Sequence, residues 1–254
     1  MTPQGRGNLA DQSLELYTPR GPRRLVDQFR PEFQVRAAST DIKAIEGVWS
    51  KDCYRMHREG FQPKPGEVWL DIGSNVGAFG VLAHHFGAKV VSVEADRDNA
   101  NMTAANLEHN NIENAQVLEA AVVPNEFRGE KVILHTLPEN QRRHSIAREG
   151  RDTVAVEVQA VKIDSIVDQI RPDGVKISIE GAEIQLLQSW EIPSFVHYVV
   201  VEWNFKMDNR IHTLARGFER LAARFRKVDM SKQINFTKPT YDLFPANVHL
   251  YGWD

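Results

Sequence analysis

Val68-Trp-Leu-Asp-Ile-Gly-Ser-Asn-Val-Gly-Ala-Phe-Gly80 is the stretch on which the fold turns. Its first five residues form a short apolar run that stops at a glycine, as a parallel strand buried on both faces does. Val76, Phe79, Leu82, Ala83 and Phe86 then recur at helical spacing. Strand, glycine-bearing turn and helix in that order open a βαβ unit, because parallel neighbours need a crossover helix between them.

The alternation continues downstream. Lys89-Val-Val-Ser-Val93 reads as a second strand, and residues 97–109 as a second helix carrying Ala100, Ala104 and Leu107. Gln116–Val123 reads as a third strand. Lys131–Leu137 and Thr153–Val161 alternate with period 2, which suggests an inserted antiparallel pair. Val175–Ile179 and His197–Val201 are two more strands of the buried type. Ile211, Leu214, Phe218, Leu221 and Phe225 mark an amphipathic helix, and Val228–Met230 with Asn247–Tyr251 can close the sheet as a hairpin. The fold class is therefore α/β, a mostly parallel sheet covered on both faces. Upstream, Phe61-Gln-Pro-Lys-Pro-Gly-Glu67 reads as a linker, which divides the chain into an extension, residues 1–65, and a main domain, residues 66–254.

Ligands of such sheets sit at the carboxyl ends of the strands, near the point where strand order reverses. The first turn fails the dinucleotide fingerprint G-x-G-x-x-G, because Asn75 and Ala78 stand where its second and third glycines belong. It keeps instead an acid at the strand end, Asp71, followed by Gly73 and Gly77. An acid there repels phosphate but suits a cation such as an ammonium. The second strand ends on Glu94, a carboxylate able to accept hydrogen bonds from two ribose hydroxyls. Acids at both strand ends suit a ligand with an amino acid at one end and a nucleoside at the other, as S-adenosylmethionine has.

The runs VWLDIGSNVGAFG, VVSVEADRDN, VKIDSIVDQI and VKISIEGAEIQLLQ resemble the FkbM-type branch of class I S-adenosylmethionine-dependent methyltransferases over roughly residues 66–203. The resemblance implies a Rossmann-like fold with a seven-stranded, mostly parallel sheet and a C-terminal antiparallel hairpin. It also implies that Asp71, Gly73, Ser74, Asn75 and Gly77 line the methionine part of the cofactor. Glu94, with Ala95 beside it, would hold the ribose, and Glu119, Ala120 and Ala121 would lie against the adenine.

The methyl group would then face the ends of the fourth and fifth strands, where Ser178, Glu180, Glu202 and Asn204 stand. A hydroxyl acceptor must lose a proton, which calls for a base within hydrogen-bond reach. Glu180 is the first candidate; His144, in the polar loop Gln141-Arg-Arg-His-Ser145, is the second, and Ser178 can hydrogen-bond the acceptor. Glu183 reads as a dipole partner of the helix that follows. The family pattern has an acid where Ser178 stands, and its loss removes a charged oxygen ligand. That argues against a divalent metal and leaves S-adenosylmethionine as the expected cofactor. The function that follows is O-methyl transfer to a hydroxyl of a sugar, glycan or other small metabolite. A nucleic-acid methyltransferase, or a cofactor-binding protein that has lost catalysis, is the alternative.

Composition narrows the field further. The chain has 254 residues, 42% of them hydrophobic and 26% charged, which excludes a wholly disordered or fibrous protein. One cysteine, Cys53, excludes an internal disulfide. The net charge of −3 provides no global cationic field for nucleic acid. No D/N-P-P-Y-type motif for base methylation follows the fourth strand, so nucleic acid is not the expected partner. Arg216, Arg220 and Arg224 read as a solvated helix face. Without a signal-peptide core or a run of 18 apolar residues, a cytoplasmic protein with no membrane partner is expected. The extension carries Arg20, Arg23, Arg24, Arg30 and Arg36, interrupted by Asp27 and Glu32, which reads as a solvated arm or a docking segment. It is the expected determinant of acceptor choice or of self-association as a homodimer. Its aromatics Phe29, Phe33, Trp49 and Tyr54 read as packing it down or as walls of an acceptor pocket.

Overall fold

The computed structural model describes residues 31–37, 39–50, 53–54, 60–113, 115–137, 144–147, 153–204, 211–231 and 247–254. Most of the N-terminal arginine cluster, Phe29 and residues 141–143 lie outside them. The chain forms α1 (Asp41–Trp49), β1 (Val68–Ile72), α2 (Ala78–His85), β2 (Lys89–Glu94) and α3 (Arg97–His109). It continues through β3 (Gln116–Glu119), β4 (Ala121–Val123), β5 (Lys131–Thr136), β6 (Val154–Lys162) and α4 (Ile163–Ile170). It ends with β7 (Gly174–Ile177), α5 (Glu183–Ser189), β8 (Tyr198–Asn204), α6 (Ile211–Arg224), β9 (Lys227–Met230) and β10 (Asn247–Trp253).

Seven strands form one sheet in the order β3-β2-β1-β7-β8-β10-β9. All neighbours are parallel except β10, which runs antiparallel to both β8 and β9. This is the Rossmann-like arrangement, with a closing antiparallel hairpin, that the resemblance implies. Strand order reverses between β1 and β7, so a crevice opens above their carboxyl ends.

Successive residues of the central strands serve two cores. Leu70, Ile72, Val175, Ile177, Val199 and Val201 pack with Trp190, Trp203, Leu214, Leu221 and Phe225 of the α5 and α6 side. Trp69, Val90, Tyr198 and Val200 pack on the other face with Phe79 and Leu82 of α2. Into this second core come Phe33, Ile45, Trp49, Tyr54 and Phe61 from residues 33–61. Phe33, Trp49 and Phe61 are fully buried, and at about 1.5–3 kcal/mol for each large side chain that binds their segment firmly to the sheet.

Three local readings need correction. Gln116–Val123 is two strands, because at Ala120 the chain changes sheet: Ala120 N–H donates to the Glu94 carbonyl, β3 pairs with β2, and β4 pairs with β6. The mostly exposed β3 suits a sheet edge, whereas the apolar residues of β4, an edge strand of the β4-β6-β5 sheet, are buried. In α3, Ala104 faces solvent, and the inward stripe includes Asn99, Thr103 and Asn106. Their polar groups have protein partners: Asn106 receives Gln34 N–H at 2.7 Å and donates to the carbonyls of Gln34 and Val76 at 3.2 and 2.9 Å. Asn106→Leu should therefore lower unfolding stability by about 2–4 kcal/mol, measured by urea denaturation, since three backbone groups, two on half-buried Gln34 and one on buried Val76, lose their bonds. A loss under 1 kcal/mol would show that these bonds are dispensable.

Arg220 and Arg224 are not simply solvated. Arg220 donates to the Trp190 carbonyl, and Arg224 to those of Pro193, Ser194 and Val196, tying α6 to the loop before β8. Leu214 and Leu221, with Phe225 just past the end of α6, are buried as expected, and Phe218 is partly buried beside them; the side chain of Ile211 lies outside the described residues. Among the described residues no helix is long and apolar enough to cross a membrane.

Candidate functional site

The crevice over β1 and β7 is one continuous cleft, reaching from Glu94 and Ala121 at one end to Glu180 and Glu202 at the other. Its floor is the turn after β1. Gly73 N–H donates to the Val93 carbonyl at 2.8 Å, and Asn75 turns back through the left-handed region at φ 55°. Thr103 donates to the Asn75 carbonyl at 2.9 Å, so the polar stripe of α3 holds the turn from behind. Ser74 hydrogen-bonds the same threonine, and Gly77 caps α2 behind the cleft wall.

Asp71 lies beneath this floor, not in the cleft. Fully buried, it sits 2.8 Å from Lys176 Nζ, which also donates to the Gly73 carbonyl at 2.6 Å. The ammonium that this acid suits is therefore the protein's own. Asp71 and Lys176 are register partners on β1 and β7, and a lysine inside the apolar run Gly174–Ile177 was the available sequence signal.

Glu94 closes the end of the cleft at β2. Its carboxylate accepts Asn75 N–H at 2.8 Å and Asp96 N–H at 3.0 Å. Burial raises its pKa, an effect those two hydrogen bonds offset in part. Each oxygen has a second lone pair, so the group can still accept ligand hydroxyls. Ala95 lies beside it, and Ala120, Ala121, Val122 and Leu134 make an apolar wall fit for an adenine. Glu119 does not join them; it points outward and receives Arg97 Nε–H at 3.0 Å.

His144 and Ser145 run across this end from the inserted sheet. His144 Nδ1 is 3.3 Å from Asp96 and Nε2 is 3.3 Å from the Leu137 carbonyl. Burial opposes its charge, but the Asp96 hydrogen bond and the nearby carboxylates more than offset this, so its pKa is raised. Oxygens face the imidazole at both nitrogens, an arrangement that favours its protonated form and occupies the lone pair a base would need. The second base candidate is thus a clasp over the cleft. Asp96 shows the other half of the pair: burial opposes its ionisation, yet His144 and the N–H of Asn99 hold it below its ordinary range. Ser145 donates to the Glu180 carbonyl at 2.7 Å, spanning the gap to the end of β7.

The far end carries the acceptor candidates. Glu180, at φ 53°, receives Asn204 Nδ2–H at 2.6 Å. Ser178 donates to Glu202 Oε2 at 2.6 Å, and Tyr54 donates to the same oxygen at 2.7 Å. Burial, then the Glu202 charge, raises the Tyr54 pKa well above its ordinary value, so the phenol stays a donor. Tyr54 both packs its segment down and walls the cleft, beside Ala44, Gly47 and Val48.

Glu183 turns back from the first turn of α5 and accepts Gly181 N–H at 2.6 Å and Asn204 N–H at 3.0 Å. Burial pushes its pKa from 4.5 up to about 8. A raised carboxyl pKa means the native state holds the proton more tightly than the unfolded chain. Its stabilisation is complete below pH 4.5 and is lost as pH rises through about 8. Calorimetric melting should show wild type losing stability over that range, on the order of several kcal/mol. Glu183→Gln should remove most of that slope, and parallel wild-type and variant curves would refute it.

Among the described residues no cluster of three or more His, Cys, Asp or Glu side chains is placed to hold a metal ion. Residues 71–228 match the methyltransferase FkbM domain. No curated protein matches the chain. Among solved structures, a precorrin-6y C5,15-methyltransferase from Geobacter metallireducens is similar at 13% identity and a TM-score of 0.42, over 76% of this chain and 84% of that one. An O-methyltransferase from Bacillus cereus in complex with S-adenosylhomocysteine is similar at 13% identity and a TM-score of 0.40, over 74% of each chain.

Proposed function

The chain belongs to the FkbM methyltransferase family, a class I S-adenosylmethionine-dependent family, and from that premise we propose that it methylates a hydroxyl of a sugar, glycan or other small metabolite. One observation carries the reading. A single cleft joins Glu94, a carboxylate suited to ribose hydroxyls, to two further carboxylates, Glu180 and Glu202, suited to an acceptor.

The residues present fit the cofactor. Glu94 keeps acceptor capacity for ribose hydroxyls, the turn from Gly73 to Val76 presents main chain, and Ala120, Ala121 and Leu134 offer an apolar face. When bound, S-adenosylmethionine supplies an activated methyl group whose sulfur leaves as a neutral thioether. The protein orients the acceptor and receives its proton. Orientation alone is worth several kcal/mol of the barrier, and a positioned base adds about 10²–10⁴-fold. In this reading the segment carrying α1 and Tyr54 shapes the acceptor end and so selects the acceptor.

The test has two arms. Calorimetric titration with S-adenosylhomocysteine beside NAD should show binding of the first only. Incubation with S-adenosylmethionine and separate pools of polar metabolites, glycans and RNA should give a product that gains one CH₂ on a hydroxyl oxygen. A modified RNA base would favour the nucleic-acid alternative. Cofactor binding with no product in any pool would favour a protein that has lost catalysis.

A further inference from the structure

We propose that Glu202, gripped by Ser178 and Tyr54, is the carboxylate that receives the acceptor's proton. The inference rests on the methyl-transfer reading above and deepens it. Glu180, the base candidate of the sequence, stands after β7 in a left-handed turn, with its carboxylate engaged by Asn204. Glu202 stands on β8 itself, and β7–β8 pairing sets Ile177 beside Val201, so Ser178 and Glu202 follow as neighbours. A side chain on a strand is placed more rigidly than one on a turn.

The hydrogen bonds point the same way. Two hydroxyl donors converge on Glu202 Oε2, from Ser178 at 2.6 Å and Tyr54 at 2.7 Å. Donors to a carboxylate favour its ionised form, the form a base requires. Neither hydroxyl competes as the proton acceptor, because both donate. Tyr54 is held in place by ring contacts with Phe79 at 5.7 Å and His249 at 5.2 Å. Ser178 thus has a task where the family pattern has an acid: it holds the negative charge of the neighbouring strand at the end of the cleft. In the step itself, the acceptor O–H bond breaks and its proton passes to Glu202. The same oxygen bonds the methyl carbon as the S–CH₃ bond breaks, its electron pair staying on sulfur. Tyr54 and Ser178 are positioning residues in this scheme.

The experiment needs no knowledge of the acceptor. Sinefungin carries a C–NH₃⁺ group where S-adenosylmethionine carries its methylated sulfonium, whereas S-adenosylhomocysteine has a bare thioether. A carboxylate facing the transferring methyl should therefore favour sinefungin over S-adenosylhomocysteine, by about tenfold if one charged hydrogen bond forms. Titrations of the full chain should show this preference in wild type and in Glu180→Gln. Glu202→Gln should abolish it while leaving S-adenosylhomocysteine affinity within about threefold. Tyr54→Phe and Ser178→Ala should keep the preference but lose it at a higher pH than wild type, since Glu202 then protonates more readily.

Loss of the preference in Glu180→Gln with retention in Glu202→Gln would overturn the assignment in favour of Glu180. Equal affinities for the two ligands in wild type would overturn it for both. If Glu202→Gln binds neither ligand, the pH shifts of the Tyr54 and Ser178 variants decide, and unshifted profiles refute the proposal. Failure of wild type to bind S-adenosylhomocysteine would instead sink the methyltransferase reading, and this inference with it.

Discussion

Replacing Glu94 by alanine is expected to lower the affinity for S-adenosylhomocysteine by about 100-fold or more, read by calorimetric titration. A carboxylate that accepts two ribose hydroxyls loses two charge-assisted bonds when truncated, each worth about 1.5–3 kcal/mol. The loss extends to the pocket. Glu94 also accepts Asn75 N–H and Asp96 N–H, so its removal releases both the turn that floors the cleft and the entry to α3. A fall in melting temperature should accompany the lost affinity, since an unsatisfied buried N–H costs about 1–3 kcal/mol. Wild-type binding should weaken as pH falls, and should do so at a higher pH than an ordinary carboxylate dictates, because burial raises the pKa of Glu94. A variant that binds within threefold of wild type would remove Glu94 from the cofactor site.

Gly73→Ala is the second large effect, and its cause is steric. A Cβ built on Gly73 would lie 1.9 Å from the Ser178 carbonyl oxygen and 2.9 Å from its carbon. The two backbones cannot separate freely, because Ser178 N–H donates to the Ile72 carbonyl at 3.0 Å where β7 meets β1. The residue also sits at φ +81°, where a side chain is strained. Overpacking of about 1–3 kcal/mol adds to about 1–2 kcal/mol of backbone strain. The clash falls in the floor of the cleft, so stability and cofactor affinity should both drop. Gly66→Ala separates the two causes: it shares a positive φ of +87° but has nothing within 4 Å of the added carbon. It should cost only the backbone part. Equal losses in the two variants would show that packing against Ser178 is unimportant.

The polar groups that organise the site are bound to one another. Asp71 neutralises Lys176 under the turn, Thr103 and Asn106 hold its back, and Glu183 ties the ends of β7 and β8 together. Sequence patterns report such residues poorly. Asn99, Thr103 and Asn106 look solvent-facing in α3, and only the approach of residues 34–36 and 74–76 turns that face inward. Tyr54 and Glu202 are 148 positions apart, so no local spacing could pair them.

What the sequence determined by itself was local and periodic. Apolar runs of strand length, glycines at the first turn and apolar residues at helical spacing dictate an α/β sheet with its crevice after β1 and β2, because backbone sterics and burial act over a few residues. Those same runs place Glu94 at a strand end. Only the tertiary structure decided which groups meet. It sent Asp71 beneath the floor to Lys176, turned Glu119 out to Arg97, set His144 against Asp96, and gathered Tyr54 and Ser178 on Glu202. Those outcomes depend on which faces the packed elements turn toward each other, and on which charges burial leaves to be neutralised.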